Sequence, residues 1–451
     1  MLGTNQISNN GQSIYRFEAS AAAGSTWASI WTELPVGNPT AAVSYASSWD
    51  GGGWRPSSSL TLPNGLASID AYLAWHPTWD GGKFVFVPLD SAPSRNVWFG
   101  YSNDSAGSSR TIRAADALVG GFDQAAGQFF NCDYPSIGID SGGRIIVGAV
   151  ANPGSDNRFF TIVSTDNGAT FSVPAPIPTA FARNARIIGA NGRFHAFPPT
   201  LDSSTNTINR VDRWESTNGS AWSGPFLVAS FASGPPNQSP SNVGSHPVFY
   251  SPFLDARGTA NGNWSVVFPA NYMGFSNTYL CTNFRGCGFV NQGAADEFLA
   301  ATNIASDDSI WVSYKTFANG TTLRQDAFYF PAGGPTSDAI VHSAIDPASW
   351  YPAPSSLSRC LGACYIEGDY THISSNPYAA ASLQFVSTSP PTNYLYQNFV
   401  QDPPGIGNIP QFVPKFVPFP LGFNVTGLSR PIPQNRRSPP SIALAQSLRL
   451  K

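Results

Sequence analysis

From Asp133 to Phe171 the apolar positions fall into three short runs, SIGI, RIIVGAV and FFTIVS, each stopped by a turn of Asp, Ser, Asn and Gly. Runs of this length, alternating or continuous and broken at this spacing, predict an antiparallel meander rather than helices. With the first hairpin turn of that stretch as a ruler, strand-turn-strand units recur around Asn38, Asp80, Asp140, Asn191, Asn261, Asp307 and Asn376. A repeat of this period predicts one ring of small four-stranded sheets, each covering its neighbour.

The units vary in their third hairpin. In the reference unit it reads Ser164-Thr165-Asp166-Asn167-Gly168-Ala169-Thr170-Phe171, which fits Ser-x-Asp-x-Gly-x-Thr-aromatic at every fixed position. The first unit echoes it at Ser48-Trp49-Asp50, the second at Ser102-Asn103-Asp104, and the fourth at Asn218-Gly219 with Trp222. In the motif the Asp accepts turn N–H groups, Gly supplies a positive φ, and the aromatic packs beneath. The chain therefore resembles the sialidase-like β-propellers with bacterial neuraminidase (Asp-box) repeats, and Gly368-Asp369-Tyr370 resembles their last blade. The resemblance implies an all-β, seven-bladed β-propeller, with six blades as the alternative, of four-stranded antiparallel blades. Ser164, Asp166, Gly168, Thr170 and Phe171 are then structural.

Boundaries follow from the same reading. TWASIWTEL is expected as the first strand of the first unit, and SIYRFEAS before it as the outer strand that closes the last blade. HPVFYSPFLD is expected to open the fifth unit. After residue 402 Pro becomes so dense that sheet interiors are excluded. The division is a propeller over 1–402 and a Pro-rich strap with a basic tail over 403–451, the tail being a candidate surface for self-assembly.

Composition narrows the function. Charged residues are 11% and Met 2, against Gly 42 and Pro 39, which suits many short strands joined by uncharged turns. A net charge of −3 and the absence of a Lys/Arg cluster before the tail leave no nucleic-acid footprint. No apolar run reaches the roughly 18 residues of a membrane helix, and the first thirty residues show no secretory signal in this numbering. Cys281/Cys287 and Cys360/Cys364 are spaced to close small loops as disulfides, which fits an extracellular or cell-surface protein. Free buried thiols and zinc are the alternatives, though neither pair has His at a usual spacing.

Chemistry is expected where innermost strands begin, at one mouth of the channel. The ligand-binding candidates there are Asp70, Tyr72, Tyr134, His246 and His372, and the catalytic candidates Asp133, Asp369 and Tyr370. The competing reading gives each Asp a local backbone role and each Tyr a packing role. Retaining sialidases use a Tyr nucleophile with a Glu, an Asp acid/base and three substrate-gripping arginines. Their early Phe/Tyr-Arg-Ile-Pro motif has only Tyr15-Arg16-Phe17-Glu18 as a counterpart, and nothing in the spacing of Arg183, Arg186, Arg257 and Arg285 groups them. The expected function is therefore non-catalytic recognition of a glycan or surface protein. The alternatives are a glycoside hydrolase or polysaccharide lyase at the channel mouth, and a structural subunit of a surface assembly. No cofactor is expected, with calcium at Asp307-Asp308 the only candidate ion.

Overall fold

The structure, a computed structural model, describes residues 2–6, 13–23, 26–35, 43–49, 58–91, 95–105, 110–113, 132–151, 158–179, 185–201, 208–231, 241–243, 246–248, 254–272, 275–291, 297–318, 322–332, 340–345, 373–375, 380–389 and 392–401. Among them the regular elements are all β-strands, and no helix is long and apolar enough to cross a membrane.

Antiparallel sheets follow one another along the chain. The first holds Ser13–Ala23, Thr26–Pro35, Val43–Trp49 and Ser58–Ser59. The second holds Ser68–His76, Lys83–Asp90, Phe99–Ser102 and Arg110–Arg113; the third Cys132–Ile139, Ile145–Ala151, Arg158–Ser164 and Ala175–Pro176. In the fourth, Arg186–Ala190 pairs with Arg193–Phe197, which continues past Pro198 as Pro199–Leu201; Ile208–Ser216 and Ser223–Ser230 complete it. The fifth holds Asp255–Gly258, Trp264–Tyr272, Phe275–Thr282 and Gly286–Phe289, and the sixth Glu297–Ile304, Ile310–Ala318, Thr322–Phe330 and Ile340–Ile345. A closing sheet joins Ile373–Ser375, Ala380–Ser389 and Thr392–Gln401 to Leu2–Gln6 from the other end of the chain.

Consecutive sheets stack face to face. One apolar cluster spans the first and second sheets, another the second, third and fourth, a third the fourth and fifth, and a fourth the fifth and sixth. A strand covered on both faces has no polar side, so Ile145–Ala151 is buried at every position. Each fully buried Ile or Val there stabilises the fold by roughly 1.5–3 kcal/mol. The first strands of six sheets line one central cavity, so the arrangement is a β-propeller with four-stranded antiparallel blades. Its blades approach at main-chain distance where Gly189 packs on the Ile139 carbonyl: a Cβ there would lie 2.2 Å from that oxygen.

Several expectations are corrected. Five blades, the second to the sixth sheet, are established with their packing, not seven or six. SIYRFEAS lies in the inner strand of the first sheet, paired with Thr26–Pro35, and the strand that closes the ring is Leu2–Gln6. TWASIWTEL is thus a second strand. The turn near Asn38 joins second to third strands because the first hairpin is tighter, with Ala23 opposite Thr26. The fifth blade opens only at Asp255, the last residue of HPVFYSPFLD, and not at its start; among the described residues His246–Val248 pairs with Ser241–Val243 in a separate two-stranded ladder. Cys281 and Cys287 form a disulfide, and Cys132 is buried. Cys360, Cys364, Asp369, Tyr370, His372 and the segment 403–451 lie outside the described residues.

Candidate functional site

Inner strands start on one side of the propeller, and three of them bring charge to its axis. Tyr72, on the second blade, is 2% exposed and donates its phenol proton to Asp255 Oδ1 of the fifth blade at 3.1 Å. Arg257, two residues further on the same strand, donates Nη1 to the Tyr72 oxygen and lies 3.3 Å from Asp255 Oδ1. The strand period of two places both side chains on one face. Asp255 is fixed from a third blade, since its Oδ2 accepts the Thr302 amide at 3.0 Å. Arg186, which opens the inner strand of the fourth blade and is 1% exposed, stacks on the Tyr72 ring with its Cζ 4.6 Å from the centroid. Arg257 approaches the same ring at 5.5 Å.

Two guanidinium groups, Arg186 and Arg257, and the Asp255 carboxylate thus meet at the Tyr72 ring. Burial pushes the Tyr72 hydroxyl up to about 12, against the opposing pull of Arg257. The phenol is therefore protonated at neutral pH and acts as the donor to Asp255. Arg257 also lines the central cavity.

The other mouth candidates separate into distinct settings. Asp133 pairs with Arg95 at 3.2 Å and accepts the Tyr134 amide at 3.0 Å. Tyr134 and Arg95 both hold positive φ, 53° and 44°, a conformation that costs a non-glycine residue energy. Ser136 resumes the ladder after a bulge. Asp133 thus makes a local clamp, and Tyr134 packs in the same apolar cluster as Tyr72. Asp70 is buried at 1% exposure. His246 is not on an inner strand, for the reason given above. Of the residues named from sequence the structure therefore brings Tyr72 together with Arg186 and Arg257. It adds Asp255, which sequence reasoning missed; the strand that carries it, Asp-Ala-Arg-Gly, looked like loop because it is short, charged and ends at Gly258. A clue was present in its place directly before the Thr259–Asn263 turn, where every other unit has an inner strand.

Away from the axis, Glu297 opens the sixth blade's inner strand. Its carboxylate accepts the Thr278 amide at 2.7 Å and Asn291 Nδ2 at 2.9 Å, both from the fifth blade. Burial raises it to about 7. It joins two blades and does not face the Tyr72 cluster through any of these bonds. No group of three or more His, Cys, Asp or Glu side chains converges as a metal centre among the described residues. Asp307 Oδ1 accepts both the amide and the hydroxyl of Ser309, at 3.0 and 2.7 Å.

No protein-family model and no curated protein matches the chain. Similar solved structures include a Trypanosoma rangeli sialidase in complex with sialic acid, with a TM-score of 0.44 and 12% identity over 70% of this chain and 57% of that one. Others are a GH93 alpha-L-arabinofuranosidase of Fusarium graminearum with arabinobiose (0.43; 12% identity; 71% and 90% covered) and a PL25 ulvan lyase (0.44; 11%; 73% and 84%). The chain spans little more than half the length of the sialidase. The propeller fold itself rests on the blade order and on the stacking of consecutive sheets.

Proposed function

We propose that the protein engages an acidic glycan at the channel mouth and acts on it as a glycoside hydrolase or polysaccharide lyase. The observation that carries this reading is the cluster of Tyr72, Asp255, Arg257 and Arg186, drawn from three separate blades onto the axis. A guanidinium grips a sugar carboxylate through paired N–H donors, which is why an acidic glycan is the ligand proposed. A phenol bonded to a carboxylate supplies a proton-transfer pair: Asp255 accepts the Tyr72 proton, and the phenolate either attacks the anomeric carbon as the glycosidic C–O bond breaks, or removes the C5 proton of a uronide as its C4–O bond breaks to leave a double bond, the departing oxygen taking a proton from solvent in each case.

A second reading, recognition without turnover, is favoured by the resting state of Tyr72. A phenol held near 12 and almost wholly buried is a weak nucleophile until the ligand rearranges it. The test is a glycan array run beside a fluorogenic assay of uronides, sialosides and neutral glycosides. The hydrolase reading requires turnover that Tyr72→Phe reduces at least about 100-fold, within the range typical of lost general acid–base or nucleophilic groups. Binding of acidic glycans without turnover leaves the recognition reading, and indifference of both assays to Arg257→Gln removes the site altogether.

The setting belongs to the same proposal. The first and closing sheets make a ring of seven with the five established blades, residues 1–402 form the propeller, and 403–451 are a strap. The Cys281–Cys287 disulfide supports an oxidising, extracellular or surface location. No cofactor is needed for this chemistry, and calcium at Asp307-Asp308 would have to compete with the Ser309 donors.

A further inference from the structure

The channel below the cluster has a chemistry of its own. The inner strands of the second to sixth blades each pair with one neighbour only, so their remaining edges face the axis. The wall therefore presents backbone N–H and C=O groups in alternation, apart from the Ile187 amide, which donates to Ser136 Oγ of the preceding blade at 3.2 Å. Gly138, Gly189 and Gly258, on three consecutive blades, add no side chain to it. The cavity, open to solvent, has a volume of about 370 Å³; among the described residues Arg257 is its one charged lining residue, and Trp75, Asn261 and Asn303 also line it.

We propose that this channel is a second sugar subsite, which takes one neutral ring while the Tyr72–Asp255–Arg257 cluster holds the acidic part of the ligand. A hydroxyl is both donor and acceptor, so a polyol matches a wall of alternating amide groups better than an anion or an alkyl chain does. Trp75 offers an aromatic surface to sugar C–H groups, and Asn261 brings a further donor and acceptor. A ligand that enters the axis must do so by an end, so the protein grips a chain terminus. The inference rests on the glycan reading for the acidic half only.

Saturation-transfer NMR with D-glucose, myo-inositol and D-glucuronate tests it, on the full chain and on three variants. Ala74→Leu narrows the channel wall, Asn261→Ala removes a lining amide in the Thr259–Asn263 turn, and Arg257→Gln strips the cluster. The expected result is transfer to the neutral probes in the wild type, reduced at least tenfold by Ala74→Leu and severalfold by Asn261→Ala, with D-glucuronate retained. Arg257→Gln should show the reverse pattern. Should Ala74→Leu misfold by thermal melting, Asn261→Ala alone decides. Absence of neutral-sugar transfer in the wild type, or transfer unchanged in a folded Ala74→Leu and in Asn261→Ala, overturns the subsite. Absence of D-glucuronate transfer in the wild type with neutral transfer intact, or D-glucuronate transfer unchanged by Arg257→Gln, would sink the acidic-glycan reading and leave the subsite standing.

Discussion

The third hairpins of the third and fourth blades are built alike from different residues. In both, the hydroxyl that ends the third strand takes the amide of the turn glycine: Gly168 N donates to Ser164 Oγ and Gly219 N to Ser216 Oγ, each at 2.8 Å. In both, the glycine stands on the preceding blade. A Cβ on Gly168 would meet Phe99 at 2.1 Å, and one on Gly219 would meet Val163 at 2.1 Å. They differ at the third position. Asp166 accepts the Thr170 amide and hydroxyl, at 2.9 and 2.6 Å, whereas Asn218 uses one oxygen for the Ser220 and Ala221 amides, at 3.0 and 2.9 Å. The geometry thus depends on the hydroxyl and the glycine, and the acidic residue that defines the motif is replaceable.

If that is right, the glycines carry the largest effect. Gly168→Ala and Gly219→Ala each force a methyl into a neighbouring blade at a φ of +74° or +72°. Left-handed strain and overpacking together predict a loss of roughly 2–4 kcal/mol for each. Denaturant midpoints measure it, and a loss under about 0.5 kcal/mol in either turn, the size expected of an ordinary surface change, would mean that the blades are not seated on these glycines.

Next in size is a carboxyl with the opposite response to acid. Glu297 faces Thr278, Asn291 and Asp326 in a buried seam between the fifth and sixth blades, and burial raises it to about 7. A raised carboxyl favours the folded state while protonated. Its stabilisation is complete below the ordinary carboxylate range and is lost as pH rises through about 7. The full swing is about 3 kcal/mol. Glu297→Gln should flatten the pH dependence of the melting temperature between pH 5 and 8, and an unchanged slope would refute the assignment.

The fifth blade replaces the clasp by a covalent one. Thr282 Oγ1 accepts the Arg285 amide at 2.7 Å in the place of the serine hydroxyls, and Cys281 bonds Cys287 directly across the strand pair. For so short a loop the entropic stabilisation is about 2 kcal/mol. A Cys281→Ser/Cys287→Ser double variant should lose that amount by denaturant titration, while the same denaturation of the wild type with reductant should match it.

This hairpin family explains what the sequence made legible. Turn residues act over three to five positions, so Ser164–Phe171 and its Asn218 relative could be read locally, and the blades followed from their spacing. Register at the chain ends could not. Whether SIYRFEAS opens one sheet or closes another depends on pairing across the whole chain, here decided by Leu2–Gln6 against Thr392–Gln401. The candidate site was half legible for the same reason. Tyr72 stands out at the start of an obvious strand, but its partners Asp255 and Arg257 are 183 and 185 residues away. They meet only because the ring sets the second and fifth blades across one axis.

The smallest effect is the most direct test of the comparison, because it exchanges the two residues that differ. Asp166 is exposed, and the bonds from Thr170 lower its carboxyl to about 2. A lowered acid contributes stability above its ordinary range and loses it as pH falls through about 2, whereas Asn218 has no charge to lose. Asp166→Asn should therefore cost something at pH 7, under about 1 kcal/mol because solvent screens an exposed site, and clearly less at pH 2, where the carboxyl is half protonated. Asn218→Asp should add a smaller stabilisation that vanishes in acid, since no threonine hydroxyl stands where Thr170 does in the other turn. Paired melts of both variants and the wild type at pH 7 and pH 2 read the difference, and equal shifts at the two pH values would show that the acidic residue contributes through shape alone.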